Sequence, residues 1–415
     1  MAIPQLLQAH QYDYDETLRQ GGALATIDRA LKTLRRHLKM DVAFVSRFMA
    51  EHRLLRNVDS AAYPAAVQAG DLMALDDGYC LKVVKGLLPR LIPDTSKCPE
   101  ALAIEATHAL PIGSHISVPL TLGDGSVYGT LCCFSRHADP TLNDRDMEIM
   151  NAFAELICGQ LDDEVRFNLD FSERLLRITE ALARREPAMV FQPIVSLTDG
   201  NVFGLEALAR FGSEPRRSPD KWIAEAADVG LRSRIERQAI ENAIDAFRLI
   251  GDGSVALALN ISAATVVETS LDPLLGSLPA DRIILELTEH EQIHDYHHLT
   301  AALTPLRQRG VRIAVDDAGS GYASMRHVLN IRPDIIKFDI SLTKGIEADS
   351  TKHALAHALV TFAHHTGSLV VGEGVETEAE LAALNQLGVD LVQGYHLGRP
   401  QEWTAFAKPL ATKVS

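Results

Sequence analysis

No cysteine lies beyond residue 158 of this 415-residue chain, so chemistry in its second half cannot be built on thiolates. The five that exist (Cys80, Cys98, Cys132, Cys133, Cys158) are odd in number and include no C-x-x-C pair, which points to reduced thiols. Cys132 and Cys133, adjacent in a strand pattern, cannot easily join. Cys80 in DDGYC reads as a buried structural thiol before a redox or cofactor anchor. A run of about 18 apolar residues is missing, as is a basic stretch leading into a short apolar one at the start. A cytoplasmic protein without membrane insertion is therefore expected. Positive charge is scarce too: 40 Lys and Arg against 55 Asp and Glu leave a net charge of −15. That argues against duplex nucleic acid as a partner, while a small dianion stays open if cations neutralise it locally.

What the second half does contain is a recurrence. Seven segments each carry an apolar run into a polar residue: GLEALAR (Glu206, Arg210), LALNIS (Asn260), IILELTEH (Glu286, Glu289), RIAVDDAGSGYAS (Asp316, Asp317), DIIKFDIS (Lys337, Asp339), LVVGEGVET (Glu373, Glu376) and LVQGYHLGRP (Gln393). One such segment alone reads as a strand followed by a helix cap. Repeated in order with helical sequence between, the pattern predicts a (β/α) barrel whose strand ends converge on one point. So many carboxylates in one place repel unless cations hold them, and oxygen donors without Cys suit Mg²⁺ or Mn²⁺.

Strands are expected at Val190–Ser196, Val202–Arg210, Val255–Asn260, Arg282–Glu286, Val311–Val315, Ile335–Asp339, Ser368–Val371 and Leu391–Gln393. Leu197–Asn201 is too short for a crossover helix, so the first two strands should form an antiparallel hairpin. Asp316 and Asp317 can both turn inward only if their strand ends there.

The first half reads differently. Ala25–Leu38 is an amphipathic helix, and Val42–Phe48 and Leu54–Val58 read as strands around a turn at His52-Arg53. His115–Leu122 and Val127–Phe134 flank Gly123-Asp124-Gly125-Ser126, a hairpin signal. A small antiparallel sheet with helices on one face is expected. Asp144–Arg185, with a single Gly at Gly159, suggests one long helix or two in series, either packed back on its own domain or paired in a homodimer.

From about Met189 onward the chain resembles the EAL-domain cyclic-di-GMP phosphodiesterases, through FQPIV, the Glu206-Ala207-Leu208 that names the family, the Asn of LALNIS, ELTE, DD-x-G-S-G-Y, K-x-D, EGVET and QGY. PIGSHISVPL, YGTLCCFS and LNDRDMEIMNAFAELI in the first half resemble a GAF domain. The expected fold is α/β, a modified (β/α)₈ TIM-like barrel with one antiparallel strand, preceded by an α+β GAF-like sensory domain. Its divisions are an extension at 1–21, the sensory domain at 22–165, a linker helix at 166–185 and the barrel at 186–415.

The resemblance implies hydrolysis of cyclic-di-GMP to the linear dinucleotide with two divalent cations. Glu206, Asn260, Glu286 and Asp316 would hold one, and Asp316, Asp317 and Glu373 the other, Asp316 bridging. The catalytic set is expected to be Lys337, Glu373, Gln393 and Glu289, and the substrate contacts Gln192, Arg210, Asp339 and Glu376. A strand-borne Lys337 has a Schiff-base reading and a surface reading, but neighbouring acids would keep it protonated and favour a role at the attacking water and phosphate. Gln393 is expected to position water, and Glu289 to steady the 316–324 loop. That loop has Ala318 and Ser320 where many family members have Phe and Thr, which bears on loop packing and rate. His290, His294, His297 and His298 lack a third ligand and read as a solvated helix start, not a zinc site. The rival function is a non-catalytic receptor for the same nucleotide. The GAF-like domain would take an unidentified small ligand or none.

Overall fold

The computed structural model describes residues 22–60, 67–250, 254–276, 278–288, 293, 295–318 and 322–406, with backbone alone at 22–24, 317, 318 and 322–324. The chain divides into two compact units, Met1–Asp170 and Phe171–Ser415.

In the first unit, α1 (Gly22–Leu38) leads into β1 (Val42–Phe48) and β2 (His52–Ser60). The turn between them spans residues 49–51, not His52-Arg53. Phe48 already pairs with Arg53, and burial alternates from Arg53 onward because its long side chain fills an inward position. Short β3 (Leu72–Ala74) and β4 (Leu91–Ile92) edge the sheet, and β5 (Ser114–Thr121) and β6 (Val127–Ser135) complete it in the antiparallel order β3-β2-β1-β6-β5-β4. The Gly123–Ser126 hairpin forms as expected, closed by Leu122 N donating to Ser126 O at 2.9 Å.

Helices cover both faces of this sheet, a departure from the one-faced layer expected. On one face, Ile27, Leu31 and Leu34 of α1 pack with Ala43, Val45, Leu131 and Cys133, joined by Met150, Ala154 and Ile157. On the other, Val42, Phe44, Cys132 and Phe134 are capped by α2 (Tyr79–Val84), α3 (Pro99–Leu102) and α4 (Glu105–Ala109). These helices of four to six residues are too brief to show a 3.6-residue periodicity. Cys132 and Cys133 point to opposite faces, as strand pleating requires.

Asp144–Ala183 is one continuous helix, α5. Its apolar stripe is consumed locally: Met150, Ala154, Ile157 and Leu161 lie in the first unit's core, while Leu175, Ile178 and Ala181 pack with Trp222, Ala226 and Ile235 in the second. Leu156, Leu169 and Leu176 stay exposed.

The second unit is a closed eight-stranded barrel. The hairpin of β7 (Ala188–Ser196) and β8 (Val202–Arg210) is followed by α6 (Pro219–Asp228), α7 (Arg232–Ile250) and β9 (Ala256–Ile261). Then come α8 (Ala263–Glu268), α9 (Asp272–Leu275), β10 (Ile283–Leu287), α10 (Tyr296–Gln308), β11 (Arg312–Ala318) and α11 (Tyr322–Ile331). β12 (Ile335–Phe338), α12 (Ile340–Thr343), α13 (Ser350–Thr366), β13 (Leu369–Gly372), α14 (Glu378–Gln386) and β14 (Leu391–Val392) close the ring. β7 runs antiparallel to both of its neighbours, and the other pairs are parallel. Local chemistry sets the helix ends: Asp349 accepts from Thr351 N and Lys352 N to start α13, and Gly367 stops it at φ +79°.

β11 does not end at Asp316. It runs to Ala318, and its pairing with β12 slips between Val315 and Ala318. That irregularity, not a strand end, marks this part of the strand.

Inside the barrel, Ile194, Ala256, Ala258, Ile284, Ala314, Ile335, Val371 and Leu391 form one apolar plug. Both tryptophans, Trp222 and Trp403, belong to this unit, so their fluorescence reads its unfolding. Ile284 is 1% exposed, and Ile284→Ala should lower the tryptophan-monitored unfolding free energy by about 2–5 kcal/mol in denaturant titration.

Candidate active site

Strand pleating determines what stands above the plug. Two residues beyond an inward apolar position, the next inward position falls at the C-terminal end of the parallel strands. Ala258 is thus followed by Asn260, Ile284 by Glu286, Ala314 by Asp316, Ile335 by Lys337, Val371 by Glu373 and Leu391 by Gln393. Gly204 precedes Glu206 in the same way. β7 runs the other way, so its polar residue, Gln192, comes two before Ile194 and pairs with Glu206 across the hairpin.

Lys337 stands at the centre. Its side chain is 1% exposed, and Nζ lies 2.7 Å from Glu373 Oε1, 2.8 Å from Glu286 Oε2, 3.6 Å from Asp316 Oδ1 and 3.7 Å from Glu206 Oε2. Burial alone would push the lysine pKa down, but the four carboxylates outweigh it and hold Lys337 well above its ordinary value. It is a cation here, which disfavours the Schiff-base reading. Burial pushes Glu286 well up and Glu373 to about 8, since one ammonium cannot serve both fully. Burial opposes ionisation of Glu206 as well, yet Lys337 and the amides of Asn260 and Gln393 keep it below the usual range.

The amides brace this layer. Asn260 Nδ2 donates to Glu206 Oε1 at 2.9 Å, and Gln393 Nε2 donates to Glu206 Oε2 at 2.6 Å and to Gln192 Oε1 at 3.1 Å. Gln192 is anchored in turn through Nε2 to the Gly398 carbonyl at 3.0 Å. Gly394 lets the chain lie against Val375, whose carbonyl oxygen a Cβ there would meet at 2.1 Å. Val375 N donates to Gln393 O at 3.1 Å, which ties the segment after β13 to the one after β14. Glu380 fixes that first segment by accepting from Glu376 N and Thr377 N at 2.8 and 3.0 Å.

A cavity of about 370 Å³ opens beside the ring, lined by Gln192, Glu206, Ile340, Glu373, Gly374, Glu376, Gln393, Gly394 and Tyr395. Glu376 is exposed at its edge, 3.3 Å from Lys344 Nζ. Asp339 instead caps α12, accepting from Ser341 N at 2.8 Å. Arg210 is exposed, donates to the Ala209 carbonyl and is not among the cavity's lining residues. Glu289, His290, His294 and Gly319, Ser320 and Gly321 lie outside the described residues, as does the Asp317 side chain. His297 and His298 sit exposed at the start of α10, where His298 N donates to Asp295. Besides Gly374 and Gly394, two lining residues carried no role in the sequence reading: Tyr395, under the Arg399 guanidinium at 4.3 Å, and Ile340. The Tyr of QGY was a visible signal for the first. Nothing in the sequence marked the second.

The donor set fits divalent cations. Four carboxyl groups face one ammonium in a buried layer, two of them pushed towards their neutral acids, a charge state that a hard cation would reverse, and among the described residues Gln393 Oε1 is a buried acceptor without a hydrogen-bond partner. Among the described residues no three ligating groups are already gathered as a metal site; the Lys337 ammonium stands where their charges converge.

Comparison with known proteins agrees with this fold. The EAL domain family model matches residues 176–400 and the GAF domain model residues 23–161. The bifunctional diguanylate cyclase/cyclic di-GMP phosphodiesterase MucR of Pseudomonas aeruginosa is 30% identical over 308 residues, 71% of this chain and 43% of that protein. The cyclic di-GMP phosphodiesterase NbdA of the same organism is 30% identical over 234 residues, 54% of this chain and 30% of that protein. The chain thus spans less than half the length of these curated relatives. Among solved structures, the MucR phosphodiesterase in complex with c-di-GMP aligns at TM-score 0.50 and 30% identity, covering 55% of this chain and 98% of that one. An EAL enzyme in its cAMP- and cyclic-di-GMP-bound form aligns at TM-score 0.56 over 89% of this chain and 93% of that one, sharing the fold at 18% identity. No helix among the described residues is long and apolar enough to cross a membrane.

A charge-deficient ring predicts stabilisation by its counter-ion. Mg²⁺ or Mn²⁺ at about a hundredfold excess over Kd should stabilise the barrel by roughly 3 kcal/mol in tryptophan-monitored unfolding, and Asp316→Asn should remove most of that gain.

Proposed function

The chain belongs to the EAL domain family, with a GAF domain N-terminal to the barrel, and from that premise we propose that it is a divalent-cation-dependent phosphodiesterase opening cyclic-di-GMP to the linear dinucleotide. The observation that carries this reading is the buried Lys337 ammonium facing carboxylates from four strands. A scaffold has no need of that excess charge, and a hydrolytic site does.

Glu206, Asn260, Glu286 and Asp316 would hold one cation, and Asp316, Asp317 and Glu373 the second. Bound there, two Mg²⁺ or Mn²⁺ ions would ready a water for in-line attack and lower the charge of the phosphodiester and the leaving oxygen. Lys337 supplies the fixed positive charge of the layer and, once cations take over the carboxylates, is free to donate to the water or a phosphate oxygen. Gln393 holds Glu206 in orientation through its 2.6 Å hydrogen bond. Gln192 and Glu376 line the cavity beside the ring and would meet the nucleotide, with Tyr395 offering an aromatic face to a base. Glu289 as a support of the 316–324 loop remains part of this reading, while Arg210 and Asp339 would reach substrate only by leaving their present hydrogen bonds. The division at residues 21, 165 and 185 and a cytoplasmic homodimer sensing a small ligand through the GAF domain are part of the same proposal; for pairing, α5 offers Leu156, Leu169 and Leu176.

The purified full chain with Mn²⁺ or Mg²⁺ should convert cyclic-di-GMP to the linear dinucleotide, read by chromatography. Ca²⁺ should support binding but little turnover. Binding without turnover under every divalent cation would place the chain among nucleotide receptors instead. Glu206→Ala, Asp316→Asn and Lys337→Ala should each lower kcat by about 100-fold or more with the barrel still folded, whereas His297→Ala should leave kcat unchanged.

Regulation by the first unit has its own test. A cut at Arg185 would strip Leu175, Ile178 and Ala181 from the barrel unit's core, so the truncation belongs at Phe171. Removing everything before it should change kcat but not the metal requirement; equal rates, with both forms monomeric in solution, would leave the first unit a passive tether.

A further inference from the structure

Away from the barrel, the first unit buries a guanidinium among sulfur atoms. Arg53 is 6% exposed, and its Nη1 donates to Cys80 Sγ at 3.2 Å and its Nη2 to Met73 Sδ at 3.4 Å. The fold makes room for it: Gly78, at φ +123° just before α2, lies so close that a Cβ there would fall 2.4 Å from Nη2. A buried guanidinium is costly unless an anion faces it, and the nearest group able to become one is the Cys80 thiol. Cys80 Sγ also lies 3.7 Å from Cys132 Sγ. Cys132 is held in turn by Ser117 Oγ and Thr130 Oγ1, each at 3.1 Å. The Cys132 contact and Arg53 hold the Cys80 thiol far below the ordinary range against the effect of burial, while burial pushes Cys132 well above it.

Beside the pair is a cavity of about 30 Å³, lined mostly by apolar side chains, with Arg53, Tyr79, Cys80 and His115 its polar members. Among the described residues, Arg53 Nε and His115 Nδ1 have no hydrogen-bond partner. The space suits a molecule of about water's size, and hydrogen peroxide is close to that.

We propose that Cys80 and Cys132 are a peroxide-oxidisable dithiol, with Cys80 the attacking and Cys132 the resolving thiol. Cys80 sulfur attacks one oxygen of hydrogen peroxide and the O–O bond breaks. The sulfur becomes a sulfenic acid, and the departing hydroxide takes up a proton to leave as water. Cys132 sulfur then attacks Cys80 sulfur, the S–O bond breaks, and a second water carries away the hydroxyl with the thiol proton. Two thiols are oxidised to one disulfide, and the peroxide is reduced to two waters. The sulfurs must close from 3.7 Å to about 2.05 Å, a side-chain movement. Arg53 serves as a positioning residue that favours the Cys80 anion. Cys133, on the sheet's opposite face beside Met150, cannot reach the pair.

The test uses the full chain with the two partly exposed thiols removed, Cys98→Ser and Cys158→Ser. After equimolar hydrogen peroxide and alkylation under denaturing conditions, intact mass should fall by about 2 Da relative to the untreated, unalkylated chain before reagent is counted. Tandem mass spectrometry should find a Cys80–Cys132 link within one chain, with Cys133 alkylated, reversed by dithiothreitol. Adding Cys132→Ser should instead trap a dimedone adduct at Cys80, and Arg53→Met should slow disulfide formation by about tenfold or more. Should Arg53→Met fail to fold, the link in the native-Arg53 chain still decides. Cys80 and Cys132 both remaining alkylatable after peroxide treatment, or a link through Cys133, overturns the proposal.

Discussion

A lone ammonium cannot keep four carboxyl groups ionised in a buried layer, and this imbalance organises the upper half of the barrel. Lys337 is drawn to the middle and becomes one of the largest fully buried side chains in the protein. Asn260 and Gln393 spend their amide hydrogens on Glu206. The charge left over makes the layer unfavourable by itself and receptive to hard cations. Everything beneath it serves to hold that layer together. The plug of Ala, Ile, Leu and Val excludes water, and the antiparallel β7 brings Gln192 in from the opposite direction.

This layer was legible in the sequence because strands have a period of two. An apolar run ending in a polar residue, repeated through the second half, already places those polar residues inward and at one level. The hairpin of β7 and β8 was legible from the shortness of Leu197–Asn201. Features set by tertiary contact were not. The slip at Val315/Ala318 leaves no compositional mark, so Asp316 and Asp317 read as a strand end. Asp339 looks like any other site acid until α12 is seen to need a cap. Arg210 is expected at the substrate by the resemblance, yet its guanidinium folds back on its own backbone. In the first unit, the helices on the second sheet face are shorter than two turns, and Arg53 occupies a core position that no hydrophobic pattern would give it.

The two units handle buried positive charge in opposite ways. The barrel surrounds Lys337 with more negative charge than it needs, which suits cations of higher charge. Among the described residues, the first unit gives Arg53 side-chain hydrogen bonds to sulfur alone, so its counter-charge there depends on the state of one thiol. α5 contributes side chains to both cores, which accounts for the buried part of its apolar stripe and leaves Leu156, Leu169 and Leu176 exposed.

Crystals of the full chain grown with Mn²⁺ and examined by anomalous scattering at the manganese edge give the most direct test of the carboxylate ring as a cation site. Two peaks are predicted among Glu206, Asn260, Glu286, Asp316, Asp317 and Glu373, sharing Asp316, with Lys337 displaced from its 2.7 and 2.8 Å contacts. No peak in the ring, with Lys337 still paired to Glu286 and Glu373 at saturating Mn²⁺, would contradict the account.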